Sequence, residues 1–200
     1  KLYYLKYKTI ENLENHINEF EKQFSTRGGK VIYAPNKIDA LNFINEIIKN
    51  NNAKKIIKSK STICEELELE HFLNNQDVKV IESNLGRFIA QIAKEDSSHI
   101  ISPIIHKSKE QICKLLNEEY KTLFDNNTPS EQIIEFIRNI IREELKDVKV
   151  GITGCNFLIA DVGAIAISEN EANVMLTAGM PPIHIVVASV EKIIYQFNKP

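Results

Sequence analysis

Tryptophan is missing from the sequence, cysteine is scarce, and no apolar run is long enough to cross a membrane. The three cysteines, Cys64, Cys113 and Cys155, stand far apart with no CxxC pair. That spacing excludes a disulfide framework, a zinc ribbon and an iron–sulfur cradle, and it suits a reducing compartment. The start of the chain lacks a signal-peptide pattern, so the expected location is cytoplasmic, with no membrane span. Charge of one sign is also lacking: 25 Lys and Arg against 27 Asp and Glu leave a net −2. Basic and acidic residues interleave, which argues against nucleic acid as the main partner. No GxGxxG fingerprint and no HExxH spacing occurs, so neither a Rossmann dinucleotide site nor a helical metal site is expected.

What is present is 43% apolar sequence in 200 residues, enough for one core, and residues 1–200 read as a single domain. Ile10, Leu13, Ile17, Phe20 and Phe24 recur at helical steps, predicting an amphipathic helix over about 9–25, ended by Gly28-Gly29. Val31 to Ala34 reads as a short strand. Asn36 reads as the cap of a helix that turns Ile38, Leu41, Ile44 and Ile48 inward. Lys55 to Lys58 is the next strand, and Thr62-x-x-Glu65 resembles a capping box. The alternation continues with a strand at Val78 to Ile81, a helix at Leu85 to Ala93 and a strand at His99 to Ile101. Helices opened by Ser108-x-x-Gln111 and by Thr128-Pro129 follow, the second burying Ile133, Ile137, Ile140 and Leu145. Val148 to Ile152, Ala164 to Ile167 and Ile183 to Ala188 then read as strands.

Strands alternating with helices predict an α/β fold: a mostly parallel sheet flanked by helices, with a partly antiparallel edge in the strand-rich last third. In such sheets ligands bind outside the carboxyl ends of the strands. Five loops lie there: 59–62, 83–86, 102–106, 153–156 and 168–173.

Lys58-Ser59-Lys60-Ser61-Thr62 runs from a strand end toward a helix start, where two ammonium groups and free backbone N–H groups could hold an anion. By local pattern alone the better reading of the same residues is a solvated basic turn whose Thr62 caps the helix. Gly151-Ile152-Thr153-Gly154-Cys155-Asn156 could hold a ligand against its backbone, or its glycines could serve the turn alone. Asp161, just before Gly163, could contact a hydroxyl or position a water. His99, His106 and His184 lack metal spacing and read either as structural histidines or as acid/base groups. No metal site is expected.

Several of these segments together resemble the LUD (lactate-utilization) family of the LutB type, the iron–sulfur subunit of a lactate-oxidising system. They are Gly28-Gly29-Lys30-Val31, Lys58 to Ser61, Ser98 to Lys107 with Pro103 and His106, and Val150 to Phe157. Asp161-Val162-Gly163, Asn170-Glu171-Ala172-Asn173, and His184-Ile185 with Glu191-Lys192 complete the set. The resemblance runs through almost the whole chain in order. It implies a fold of the NagB/RpiA/CoA-transferase group and a place in L-lactate oxidation to pyruvate. Proteins of the type continue into a cysteine-rich ferredoxin-like part that is not in this sequence. The resemblance therefore implies no cofactor in this chain, with iron–sulfur clusters only in that further region or in partner subunits.

The implied ligand is a small anionic metabolite, the implied partners are lactate-utilization subunits, and a homo-oligomer is compatible. Lys58, Ser59, Lys60, Ser61, Thr62, His106, Thr153, Gly154, Asn156, Gly163 and Asn173 are the ligand-binding candidates. Asp161, Glu171 and His184 are the candidates for acid/base roles.

Departures from the family pattern motivate two alternatives. Asn84 and Arg87 stand where acids are usual, Val162 and Ala164 replace hydroxyl-bearing positions, and Met175 replaces an arginine. The chain could be a non-catalytic binding or assembly subunit. It could also be a stand-alone isomerase or CoA-transferase-like enzyme, for which Glu169 or Glu171 would be the nucleophile.

Overall fold

The computed structural model describes residues 9–95, 104–169 and 171–196. The first helix, α1, spans Leu13–Thr26, and residues 9–11 before it are already helical. Its Leu13, Ile17, Phe20 and Phe24 face a small apolar cluster as the three- and four-residue spacing requires, whereas Ile10 is 68% exposed. Gly28 ends the helix with φ +85°, and its N–H reaches back to the Ser25 carbonyl. The expected strand at Val31 to Ala34 does not form. Those residues pair with no strand among the described residues, and Val31 packs on α1's cluster instead.

Next come α2 (Lys37–Asn50), β1 (Lys55–Lys58), the short helices α3 (Thr62–Glu66) and α4 (Leu69–Asn74), and β2 (Lys79–Glu82). Asn36 caps α2 by accepting the Asp39 N–H at 3.0 Å. Ile38 is 69% exposed rather than inward, because the buried stripe runs through Leu41, Ile44 and Ile48. At α3 the cap position belongs to Ser61, not Thr62, and neither half of the expected capping box forms.

Three longer helices follow: α5 (Leu85–Ile92), α6 (Lys109–Tyr120) and α7 (Ser130–Glu144). Ser108 and Gln111 make the full reciprocal capping box of α6. Thr128 does not cap α7. Its hydroxyl accepts the Asp125 N–H, and Pro129 takes the cap position. Ile141 is buried in place of Ile140. The expected strand at His99 to Ile101 lies outside the described residues.

The last third holds β3 (Val150–Thr153), a hairpin of β4 (Phe157–Ile159) and β5 (Ala164–Ala166), α8 (Asn173–Gly179), β6 (Ile183–Val186) and β7 (Ile193–Ile194). The main sheet has the order β2-β1-β3-β6 with every pair parallel. Helices cover both of its faces. Ile56, Val80, Val150 and Ile152 face α2, α3 and α4; Ile57 and Ile81 face α5, α6 and α7. The antiparallel pair does not extend this sheet but builds a second one, β5-β4-β7, against α1. Strand order reverses at β1, whose neighbours β2 and β3 leave and return on opposite sides. The crevice outside the carboxyl ends of β1 and β3 is therefore the expected ligand position.

Candidate functional site

Ten polar side chains are buried among the described residues, and eight of them gather at the carboxyl ends of β1, β2 and β3. Apolar strands that end in polar residues produce this. β1 closes as Ile-Ile-Lys-Ser and β2 as Val-Ile-Glu-Ser, with opposite charges one residue before each serine. The parallel register sets Lys58 beside Glu82 on one side and Ile152 on the other. Lys58 Nζ forms an ion pair with Glu82, and both side chains are 2% exposed. Burial pushes the Glu82 carboxyl up, against the opposing pull of the Lys58 charge.

One residue further, Ser83, Ser59 and Thr153 fall in line across the same three strands. Ser59 donates its N–H to Ile152 O, and Ser83 donates its N–H to Lys58 O, so the ladder continues through them. α8 lies over this second row. The Thr177 hydroxyl, whose proton goes to the Asn173 carbonyl, accepts from the Ser83 hydroxyl at 3.0 Å. Gly151 lets the helix approach, since a Cβ there would come within 2.0 Å of the Thr177 carbonyl oxygen. Thr153 Oγ1 shares a 2.8 Å hydrogen bond with His184 Nε2 on the edge strand β6, and burial pulls the His184 pKa down toward neutral imidazole. Ser59 Oγ is buried with no hydrogen-bond partner among the described residues.

The two loops singled out in the sequence do meet. A Cβ on Gly154 would come within 2.5 Å of Ser61 Oγ, so the turn after β3 closes on the turn after β1. Lys60 stands half-buried in that turn and Thr62 is exposed beside it. Lys58 differs from its expected role: its ammonium is committed to Glu82 beneath α3, not offered to solvent.

Other candidates have structural duties. Asn156 ties the base of the β4–β5 hairpin by accepting the Ser168 N–H at 2.7 Å. Asp161 and Gly163 sit at the hairpin's far tip, where Gly163, at φ +56°, presses on α1; a Cβ there would lie 2.4 Å from Phe24 N. Asn173 opens α8 and accepts the Thr177 hydroxyl on its carbonyl at 2.7 Å. Glu169 accepts the N–H groups of Val174 and Met175, and Glu171 accepts from Asn84 Nδ2. His106 pairs with Glu95 at 3.0 Å, beyond the end of α5 remote from the strand edge.

Burial pushes the Cys155 thiol up to about 11, and it also raises that of Cys64, so neither is an activated thiolate. Among the described residues no group of three or more His, Cys, Asp or Glu side chains is arranged to hold a metal ion. Two surface cavities, of about 420 and 640 Å³, lie elsewhere. One is beside Lys55 and α7 at the amino edge, the other between α6 and Phe124.

Glu82, Ser83 and Thr177 were not singled out from sequence as individual site residues. The repeated ending of apolar pair, charge and serine on two successive strands was the signal that could have marked the first two.

The family model described as LUD domain matches residues 17–199. Lactate utilization protein B of Bacillus cytotoxicus (strain DSM 22905 / CIP 110041 / 391-98 / NVH 391-98) is 37% identical over 186 residues, which is 93% of this chain and 39% of that protein. Lactate utilization protein B 2 of Bacillus mycoides (strain KBAB4) is 36% identical with the same coverage, and lactate utilization protein B of Bacillus cereus (strain AH820) 35%. The chain thus spans 39% of the length of the curated relatives it matches. No solved structure gives a significant match.

Proposed function

The chain belongs to the LUD domain family and is related to lactate utilization protein B, and from that premise we propose that it serves L-lactate oxidation to pyruvate by binding a small anionic acid. Its ligand site is the crevice between the carboxyl ends of β1 and β3, formed by the turns 59–62 and 153–156 with Lys60 supplying charge. The observation that carries this reading is the collection of eight buried polar side chains at that one edge, in a protein that buries two others among its described residues. Polar groups cost free energy to bury, so such a concentration marks a place where they have partners to meet.

Converting lactate to pyruvate removes two electrons and two protons. On this reading His184, whose pKa is lowered by partial desolvation, accepts the hydroxyl proton. The C2 hydrogen and both electrons leave to an oxidant held by a partner or by sequence outside this chain. The cysteines here do not fit an iron–sulfur cluster: Cys64 and Cys113 are buried in separate apolar clusters on opposite faces of the sheet.

A second reading, a non-catalytic binding or assembly subunit, draws support from Glu169 and Glu171. Both carboxylates are engaged by backbone or amide donors, and either would have to give those up to act as a nucleophile.

Calorimetric titration of L-lactate and of pyruvate into the purified chain tests the proposal. Binding of at least one acid, weakened fivefold or more by Lys60→Ala, is the expected result, with no lactate oxidation by the chain alone on artificial acceptors. Silence with both acids would sink the binding reading, and turnover by the isolated chain would sink the dependence on partners.

A further inference from the structure

The row Ser83–Ser59–Thr153 carries an inference about where the acid itself is gripped, and it rests on the ligand reading above. Neighbouring strands of a sheet stand about 4.8 Å apart. Ser59 Oγ makes no direct hydrogen bond to either neighbour in the row. An oxygen atom set between two such hydroxyls can accept from both at about 2.8 Å. Ser59 is the middle member and can be shared with either neighbour. The outer hydroxyls already have partners, Thr177 for Ser83 and His184 for Thr153. Ser59 Oγ, in a residue 1% exposed, has none among the described residues.

The cover over this row is lightly anchored. Thr177 is the one fully buried residue of α8, whereas α7 buries Ile133, Ile137 and Ile141. Leu176 packs half-buried at the margin of the cluster shared with α5, α6 and α7, and the other ties are polar: Thr177 to Ser83, Glu171 to Asn84, and Glu169 on its first turn. Ala172, at φ +56°, precedes it, and Pro181-Pro182 follow. Met175 and Met180 on its outer side are 73% and 63% exposed. A segment with so little buried apolar surface is drawn from the low-stability end of a fold.

We propose that α8 is a lid, and that the hydroxyl row beneath it receives the oxygens of a small 2-hydroxy or 2-oxo carboxylic acid when the lid lifts. Hydroxyls both donate and accept, so one row accommodates the alcohol of the reduced acid and the carbonyl of the oxidised one.

Two measurements on the 200-residue chain test this, with L-lactate and pyruvate as probes. Ser59→Ala should bind either acid at least tenfold more weakly while its Tm stays unchanged or rises, since the variant removes a buried hydroxyl that has no partner among the described residues. In the unmutated chain, hydrogen exchange of the α8 amides should change when acid is added. Wild-type affinity in Ser59→Ala, a lowered Tm in that variant, or α8 exchange indifferent to bound acid would each overturn the row and its lid while leaving binding at the edge intact. Failure of the unmutated chain to bind either acid would remove this inference together with the reading it rests on.

Discussion

Two rows of side chains cross the carboxyl ends of β2, β1 and β3, one residue apart, and they face opposite layers of helices. The first, Glu82–Lys58–Ile152, turns toward α3 and α4 and closes on itself, because a positive and a negative charge neutralise each other inside it. The second, Ser83–Ser59–Thr153, turns toward α8, carries no charge and leaves its middle hydroxyl without a partner among the described residues. Both are buried, yet they do different things. A compensated ion pair in a core demands its partner and offers nothing to a ligand. A row of neutral hydroxyls costs less to bury and stays able to bond something new. Adjacent residues of one strand thus divide between holding the edge together and presenting it.

Breaking the charged row should have the largest effect. Lys58→Met leaves Glu82 buried without its counter-charge, at a cost of about 3–5 kcal/mol in denaturant unfolding near neutral pH. Lys58→Met combined with Glu82→Leu should recover most of it. The loss should shrink in acid. Glu82 already has its folded pKa raised above the ordinary 4.5 by burial, and removing the lysine raises it further. Stability linked to a raised carboxyl is present below the unfolded value and lost as pH rises through the folded one. A deficit of Lys58→Met that stays constant from pH 4 to pH 8 would contradict this account of Glu82.

The hydroxyl row can be disturbed without touching a hydroxyl. Gly151→Ala places a Cβ against the Thr177 carbonyl and should push α8 outward, costing about 1–3 kcal/mol. Its hydrogen exchange should quicken in residues 173–179 while the α2 amides keep their protection. Uniform loss of protection across the chain would mean that α8 is not a separable cover. Thr177→Val is milder. It leaves the Ser83 hydroxyl without its acceptor beneath α8, and about 1–2 kcal/mol should appear as a lowered denaturation midpoint at unchanged m.

The smallest effect is expected at the end of the hydroxyl row. His184 has its pKa depressed by burial, so its protonation opposes folding. The stability it permits is present above its unfolded value of 6.5 and lost as pH falls through the lower folded value. His184→Gln should flatten the Tm profile between about pH 7 and pH 5, a small change because the imidazole keeps contact with solvent. A profile as steep as that of the unmutated chain would mean that His184 does not titrate against the fold.

Local pattern was enough to read the α/β alternation, the strands β1, β2, β3 and β6, the Asn36 cap and the Ser108–Gln111 box. Each of these rests on periodicity or on a contact within four residues, which the chain carries wherever it folds. It failed at Val31 to Ala34, where strand propensity found no neighbouring strand to pair with and an apolar cluster took the side chains instead. It also placed Thr62 and Thr128 as caps, although the boundary of a short helix depends on what the preceding turn bonds to.

The candidate site divides in the same way. The turns 59–62 and 153–156 were marked by their composition, and the rule of carboxyl ends put them on one edge. What composition cannot contain is register. Lys58 looked like a free cation because its partner stands 24 positions away, on a strand that only the sheet brings alongside. Asp161 and Gly163 were candidates for the same ligand site, but an antiparallel hairpin carries its tip away to α1. By itself the sequence determined which residues are strand ends and which polar groups stand on them. Only the tertiary structure decided which of those groups neutralise one another and which are left over, because that depends on distances between strands and not along them.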